Sequence, residues 1–195
     1  MEDNEQEAPE TERQFSRRVH GFFRRKLADS EWEKVLRVEQ RVKVPTDFTF
    51  LRDRDGRWRL LVGFLEQDIV FYCPSHTILM EQFRSEAIRV DRMGGNPVII
   101  PLLVCELKVG ARHRPVIHTL ITASSIASRV KSAFPHCACY FVMNSNRVRG
   151  FIRASITRHC KGFDRVFLNW EQECEQIWSD ACAHFRFLSE RGLLA

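Results

Sequence analysis

The sequence predicts an α/β fold in which a mixed central β-sheet is flanked by helices on both faces. Three observations carry the α/β reading. Two apolar runs of strand length, 98–109 and 137–143, read as central strands buried on both faces. Two other strand-like runs, 47–52 and 58–72, flank the turn signal Asp53-Arg54-Asp55-Gly56 and read as a hairpin. Segments with apolar residues at helical spacing alternate with these runs.

Residues 1–12 hold six acids, no Lys or Arg and no apolar periodicity. They are expected to form a disordered acidic tail ahead of a single domain, 13–195. A helix follows, from about 11 or 14 to 27. Phe15, Val19, Phe22, Phe23 and Leu27 recur at helical spacing, while Arg17, Arg18, Arg24, Arg25 and Lys26 cover other faces. Asp29 or Ser30 then caps a second helix through Trp32, Val35 and Leu36, with Glu33 placed to complete a capping box. Pro45 ends anything helical before it. The long run 58–72 is expected to bend or bulge near Gly63. Cys73-Pro74 stops it, and Ser75 caps a helix over 76–93 that Gly94-Gly95-Asn96-Pro97 breaks. The apolar strand 98–109 leads to a basic loop, 110–115, a helix over 116–134 and the buried strand 137–143. Short strands at 151–156 and 165–168 precede a closing helix from 170 to about 191.

Composition narrows the function classes. No stretch approaches the roughly 20 apolar residues of a membrane span. The acidic N-terminus does not read as a secretory signal. Seven cysteines, an odd number partly embedded in apolar runs, point to free thiols in a reducing, intracellular compartment, the cytoplasm or the nucleus or nucleoid. Removing the six tail acids from the 25 leaves 19 against 30 bases, a formal +11 on the remainder. That balance suits a polyanion, of which nucleic acid is the commonest, or simply a solvated basic surface.

The chemistry concentrates at the end of the apolar strand. Glu106 and Lys108 project from one strand face and Leu107 from the other. Ionisable groups ending a buried strand are costly unless paired, bound to metal or placed at a cleft. Asp68 lies in the preceding long strand, and pairing of the two strands brings it towards Glu106. Two carboxylates near one point suit Mg²⁺, which keeps waters and substrate phosphate as its other ligands. Glu66 shares the strand parity of Asp68 and competes with it. The plain alternative is a Glu106–Lys108 salt bridge at the surface.

With these residues in this order, the chain resembles the PD-(D/E)XK, or restriction-endonuclease-like, nuclease superfamily. A helix precedes a hairpin, and Gln67-Asp68 stands where that family has Pro-Asp. An apolar strand ends in Glu106-Leu107-Lys108. A helix and a buried strand ending in Asn144 follow. The resemblance covers roughly 15–144 and implies a Mg²⁺-dependent nuclease, with Mn²⁺ as a substitute, acting on DNA, with RNA as the other candidate. It implies Asp68, Glu106 and the Leu107 carbonyl as metal ligands and Lys108 as the catalytic lysine. Arg112, His113 and Arg114, directly after the motif, and Arg24 and Arg25 on the first helix become candidates for phosphate contacts. A leading-helix Glu is common in the family, but Glu31, Glu33 and Glu39 are not ranked by the sequence. The chain departs from the pattern in Gln67, in the helix expected between hairpin and motif strand, and in the following helix, which offers Thr119, Thr122, Ser124 and Ser125 where many relatives carry Gln or Tyr. The alternative is a catalytically inactive module of the same fold that binds nucleic acid or a protein partner; a homodimer is the other partner considered.

Two weaker signals stand apart. His136-Cys137-Ala138-Cys139, His159-Cys160 and Cys182-Ala183-His184 suggest zinc, but match no ordinary ligand spacing. A cysteine nucleophile lacks an evident helix N-terminus to stabilise its thiolate.

Overall fold

The first helix, α1 (Glu12–Ala28), begins where the sequence supplies a cap. Gln14 donates its backbone N–H to Thr11 Oγ1 (3.2 Å), and the Thr11 N–H returns a bond to Gln14 Oε1 (2.8 Å). The computed structural model describes residues 10–76, 88–90, 98–109, 117–145, 154, 156 and 158–194. Of the residues counted with the acidic tail in the sequence, Glu12 thus opens α1, Thr11 caps it and Glu10 precedes the cap; 1–9 lie outside the described residues.

The expected second helix is replaced by a turn. Ser30 Oγ does accept from the Trp32 N–H (3.2 Å), and Val35 and Leu36 donate to the Trp32 carbonyl (3.1 and 2.9 Å). The chain then extends at once into β1 (Arg37–Arg52). Its partner is β2 (Trp58–Tyr72), antiparallel, with Val38 opposite Phe71 and Arg52 opposite Trp58. The long partner strand overrides a local helical spacing. The bulge foreseen near Gly63 forms on β1, between Pro45 and Asp47. Gly63 makes room for it, since a Cβ there would meet Asp47 Oδ2 at 3.0 Å. Pro45 is tolerated because β1 is the sheet edge.

After a 3₁₀ turn (Pro74–His76), the helix expected over 76–93 is contradicted at its far end. Ile88–Val90 forms strand β3, parallel to Trp58–Leu60; 77–87 and 91–97 lie outside the described residues. β4 (Pro101–Val109) pairs antiparallel with β2, α2 (Ile117–Ala133) crosses back, and β5 (Ala138–Asn144) lies parallel to β4. Ala154 and Ile156 are helical where a strand was expected. β6 (Arg165–Phe167) pairs parallel with β5, and α3 (Trp170–Glu190) closes the fold.

The sheet runs β1-β2-β4-β5-β6, with β3 also on β2, and is mixed. Strand alternation gives each face its own core. Ile69, Phe71, Leu103, Cys105 and Leu107 pack with Phe15 and Phe23 of α1 and Phe185 of α3. Val70, Val104 and Cys139 pack with Ala127 and Val130 of α2. The sheet therefore has helices on both faces. No helix among the described residues is long and apolar enough to cross a membrane.

Candidate active site

The β2–β4 ladder ends at the pair Ile69–Cys105, while β4 continues beside β5 through Glu106–Phe141 and Lys108–Met143. Past that point a β4 backbone donor needs a different acceptor. Leu107 donates its N–H to Asp68 Oδ2 at 2.8 Å. The Asp68 side chain is thereby fixed against the strand that carries the motif.

Leu107 itself is buried in the core shared with α1 and α3. Glu106 and Lys108 alternate to the other face and meet, with Glu106 Oε1 3.0 Å from Lys108 Nζ. Their side chains are 16% and 18% exposed, which is not the solvated surface pair that the sequence left open. Glu12, in the first turn of α1, brings Oε1 to 3.8 Å from the same ammonium and is itself exposed.

Burial pushes the Asp68 carboxyl above the usual carboxylate range, against the lowering effects of the Leu107 N–H and of Lys108. Burial likewise raises Glu106; Lys108 opposes this, and the nearby Asp68 charge adds to it. Burial pulls Lys108 down, but Glu106, Glu12 and Asp68 together outweigh it and hold the ammonium above its ordinary value.

Geometry separates the two candidates on β2. Glu66 is exposed and accepts from Arg41 Nε at 2.8 Å, while Asp68 turns to β4. Arg41 stands across from Asp68, between the register pairs Gln40–Ile69 and Val42–Gln67. It has φ +57°, the left-handed region, and no other described non-glycine residue does. Across it the even-numbered residues of β1 change sides: Val38 enters the α1/α3 core, whereas Val42 and Val44 enter the α2 core. The other rim is closed by Asn144, which donates Nδ2 to Glu10 Oε2 (2.8 Å). The Arg18 guanidinium grips Glu10 at 2.9 Å and holds that carboxyl below its ordinary range.

The structure thus brings together Asp68, Glu106, Leu107 and Lys108. It does not bring Arg24 and Arg25 to them. Those exposed arginines sit near the far end of α1, about 18 Å along the axis from Glu12. Arg112, His113 and Arg114 lie outside the described residues. Of the acids considered for the leading helix, Glu31 pairs with Arg186 and Glu39 accepts from the Tyr72 hydroxyl (2.6 Å), both away from the motif. Glu33 falls in the turn after α1. Glu12 is the residue that the sequence reading missed. The Thr11-x-x-Gln14 capping box was its available signal, because it marks where the helix starts and so which acid lies in the first turn.

Among the described residues no group of three or more His, Cys, Asp or Glu side chains is placed to hold a metal ion, at the histidine–cysteine segments or elsewhere. All seven cysteines are free, and burial pushes the Cys105 and Cys137 thiols well up, so neither is a nucleophile. A cavity of about 470 Å³ lies at the opposite end of β5, lined by His136, Tyr140, Asp164, Arg165, Asp180 and His184 among others, and includes none of the motif residues. Compared with protein-family models, with curated proteins and with solved structures, the chain gave no match.

Proposed function

We propose that this chain is a metal-dependent nuclease of the PD-(D/E)XK kind, with a restriction-endonuclease-like core, that hydrolyses phosphodiester bonds, in DNA before RNA. The observation that carries the reading is the junction of β2 and β4. Asp68 is tied to the Leu107 N–H, and Glu106 and Lys108 form a largely buried pair on either side of that residue. The order of elements supports it: a helix, the antiparallel set β1, β2 and β4 with the short β3 inserted before β4, a helix, then a strand parallel to the motif strand.

The donor set fits a hard divalent cation. Two carboxylates whose burial penalises their charge gain from a neighbouring cation, and one or two carboxylates are what Mg²⁺ takes from a protein that leaves room for water and phosphate. Asp68 and Glu106 would hold it, with the Leu107 carbonyl as the further ligand that the resemblance implies and Mn²⁺ as a substitute. When bound, such an ion polarises the scissile phosphate and makes a water acidic enough to attack. The chain's own residues do the rest. The Leu107 N–H keeps Asp68 in one orientation. Lys108, held protonated by three carboxylates, orients the attacking water and offsets charge that builds on the phosphate. Glu12 helps to keep the ammonium at the mouth of the site.

A second reading is an inactive module of the same fold that binds nucleic acid or a protein partner. The helix after the motif favours it, since it offers Thr119, Thr122, Ser124 and Ser125 where many such nucleases carry Gln or Tyr. Cleavage of supercoiled plasmid and of labelled single strands with Mg²⁺ or Mn²⁺ separates the two. The nuclease reading expects cutting that is lost in Lys108→Ala and in Glu106→Ala, with both variants folded. Equal cutting by all three proteins would remove the mechanism, and no cutting by any would favour the module.

A further inference from the structure

The distal half of the β1–β2 hairpin is unlike the rest of the sheet. Four of the six large hydrophobic side chains exposed among the described residues are here: Phe48 (45%), Phe50 (55%), Leu51 (48%) and Trp58 (46%). The register sets Phe48 opposite Val62, Phe50 opposite Leu60 and Arg52 opposite Trp58, so three of the four share one face with Arg52. Phe48 is steadied by an edge contact with Phe134, at 6.4 Å between ring centroids. A contiguous exposed patch of this kind marks an interaction site more often than a scatter of single residues does.

The charge around it is positive. Arg52, Arg54 and Arg57 are exposed. Of the two acids in the same turn, Asp53 is committed to the backbone, its carboxylate accepting the N–H groups of Asp55 (3.0 Å) and Arg57 (2.8 Å). Gly56, at φ +77°, lets that turn close. Aromatic faces interleaved with arginines suit one class of partner, an unpaired nucleic-acid strand, whose bases stack while its phosphates meet the guanidinium groups. A protein partner of ordinary composition has less use for three solvated arginines around the rings.

We infer that this hairpin is a substrate arm that binds single-stranded nucleic acid by stacking bases on Phe50 and Trp58, with Arg52, Arg54 and Arg57 on the backbone. The choice of occupant rests on the nuclease reading above. The arm and the motif share one strand: Trp58 and Asp68 are both in β2, ten residues or at most about 33 Å apart. A strand held on the arm is therefore within about ten nucleotides of Asp68, and the arm selects frayed or single-stranded substrate over duplex.

Trp58 makes the test direct. Trp32 and Trp170 are buried and Trp178 is half-buried, so quenching of tryptophan fluorescence by a stacked base reports chiefly on Trp58. An oligothymidylate is titrated into the full chain at low salt, with chelator present so that nothing is cut. The arm predicts saturable quenching and weaker binding of a duplex of equal length. Trp58→Phe loses the quench and keeps the affinity. Phe50→Ala with Trp58→Ala weakens binding by about tenfold or more, with circular dichroism unchanged. Unaltered affinity in that folded double variant overturns the proposal, as does no binding by the wild type. Loss of a concentration-dependent dimer in sedimentation, with oligonucleotide affinity unaltered, also overturns it and gives the patch to a second copy of the chain. The plasmid assay runs in parallel and keeps the two ideas apart. If the arm fails, Lys108-dependent cutting persists; if the nuclease reading fails, cutting is absent while metal-free binding persists.

Discussion

The two ends of the central strands treat charge in opposite ways. Near the start of β5, Lys131 pairs with Asp164 and Arg165 with Asp180 (3.2 Å), so these two cations each have an acid of their own. Near the end of β4, Asp68, Glu106 and Glu12 share Lys108 as their common described cation. The first arrangement satisfies itself, and its contribution is to structure. The second leaves two partly buried carboxylates above their ordinary range, which folding alone does not favour. The excess of buried acid over base at the end of β4 is what the proposed cation would offset, whereas the charged residues that line the cavity at the balanced end are paired and carry no such excess.

Substitutions at the two ends sharpen this contrast. The largest effect belongs to Lys108→Ala. Cleavage per folded molecule should fall by at least about 100-fold, measured where circular dichroism shows the variant folded. Retained cleavage would reduce Lys108 to a structural partner of Glu106. Next comes Gly162→Ala, near the balanced end. Gly162 donates its N–H to Ser124 Oγ at 2.8 Å, and an added Cβ would lie 2.1 Å from the Ser124 carbonyl oxygen. Urea unfolding should show a loss of about 1–3 kcal/mol, with metal affinity unchanged.

The third effect is a slope. Asp68 and Glu106 have folded-state values raised above their unfolded ones, so in the window just above the ordinary carboxylate range, about pH 4, the native state binds more protons than the unfolded chain. These two groups therefore make stability fall as pH rises through that window. Asp68→Asn keeps an acceptor for the Leu107 N–H and removes one of the charges. It should flatten the slope and raise stability at neutral pH, by less than the Gly162→Ala effect. A steeper slope in the variant would contradict the burial argument. The smallest change is expected from Arg165→Ala, which breaks a pair whose arginine is 61% exposed. It should cost under about 1 kcal/mol in thermal unfolding and leave cleavage untouched.

What was legible in the sequence follows the range of the forces involved. The helix after Thr11, the strands around Ile69 and Val104, the buried strand through Phe141 and the closing helix from Trp170 were readable, because each carries its period in its own residues. The segment from Ser30 to Leu36 misled. Trp32, Val35 and Leu36 have helical spacing and Ser30 a cap, but the ladder with β2 begins at Arg37–Tyr72 and leaves room for one turn only before the chain extends. Ile88–Val90 was hidden for the same reason, since its strand exists only beside Trp58–Leu60. Glu106 and Lys108 could be found because charge at the end of an apolar strand is a local anomaly. The capping box could place Glu12 in the first turn of α1 but not beside Lys108, which depends on where α1 packs, and Asp68 could not be chosen over Glu66 without the Leu107 N–H and Arg41 to part them.

Calorimetric titration of Mn²⁺ into the full chain, wild type beside Asp68→Asn with Glu106→Gln, tests most directly whether the end of β4 is a cation site. The account predicts one saturable site in the wild type and none in the folded double variant. Equal binding by both proteins, or no binding by the wild type, would contradict it.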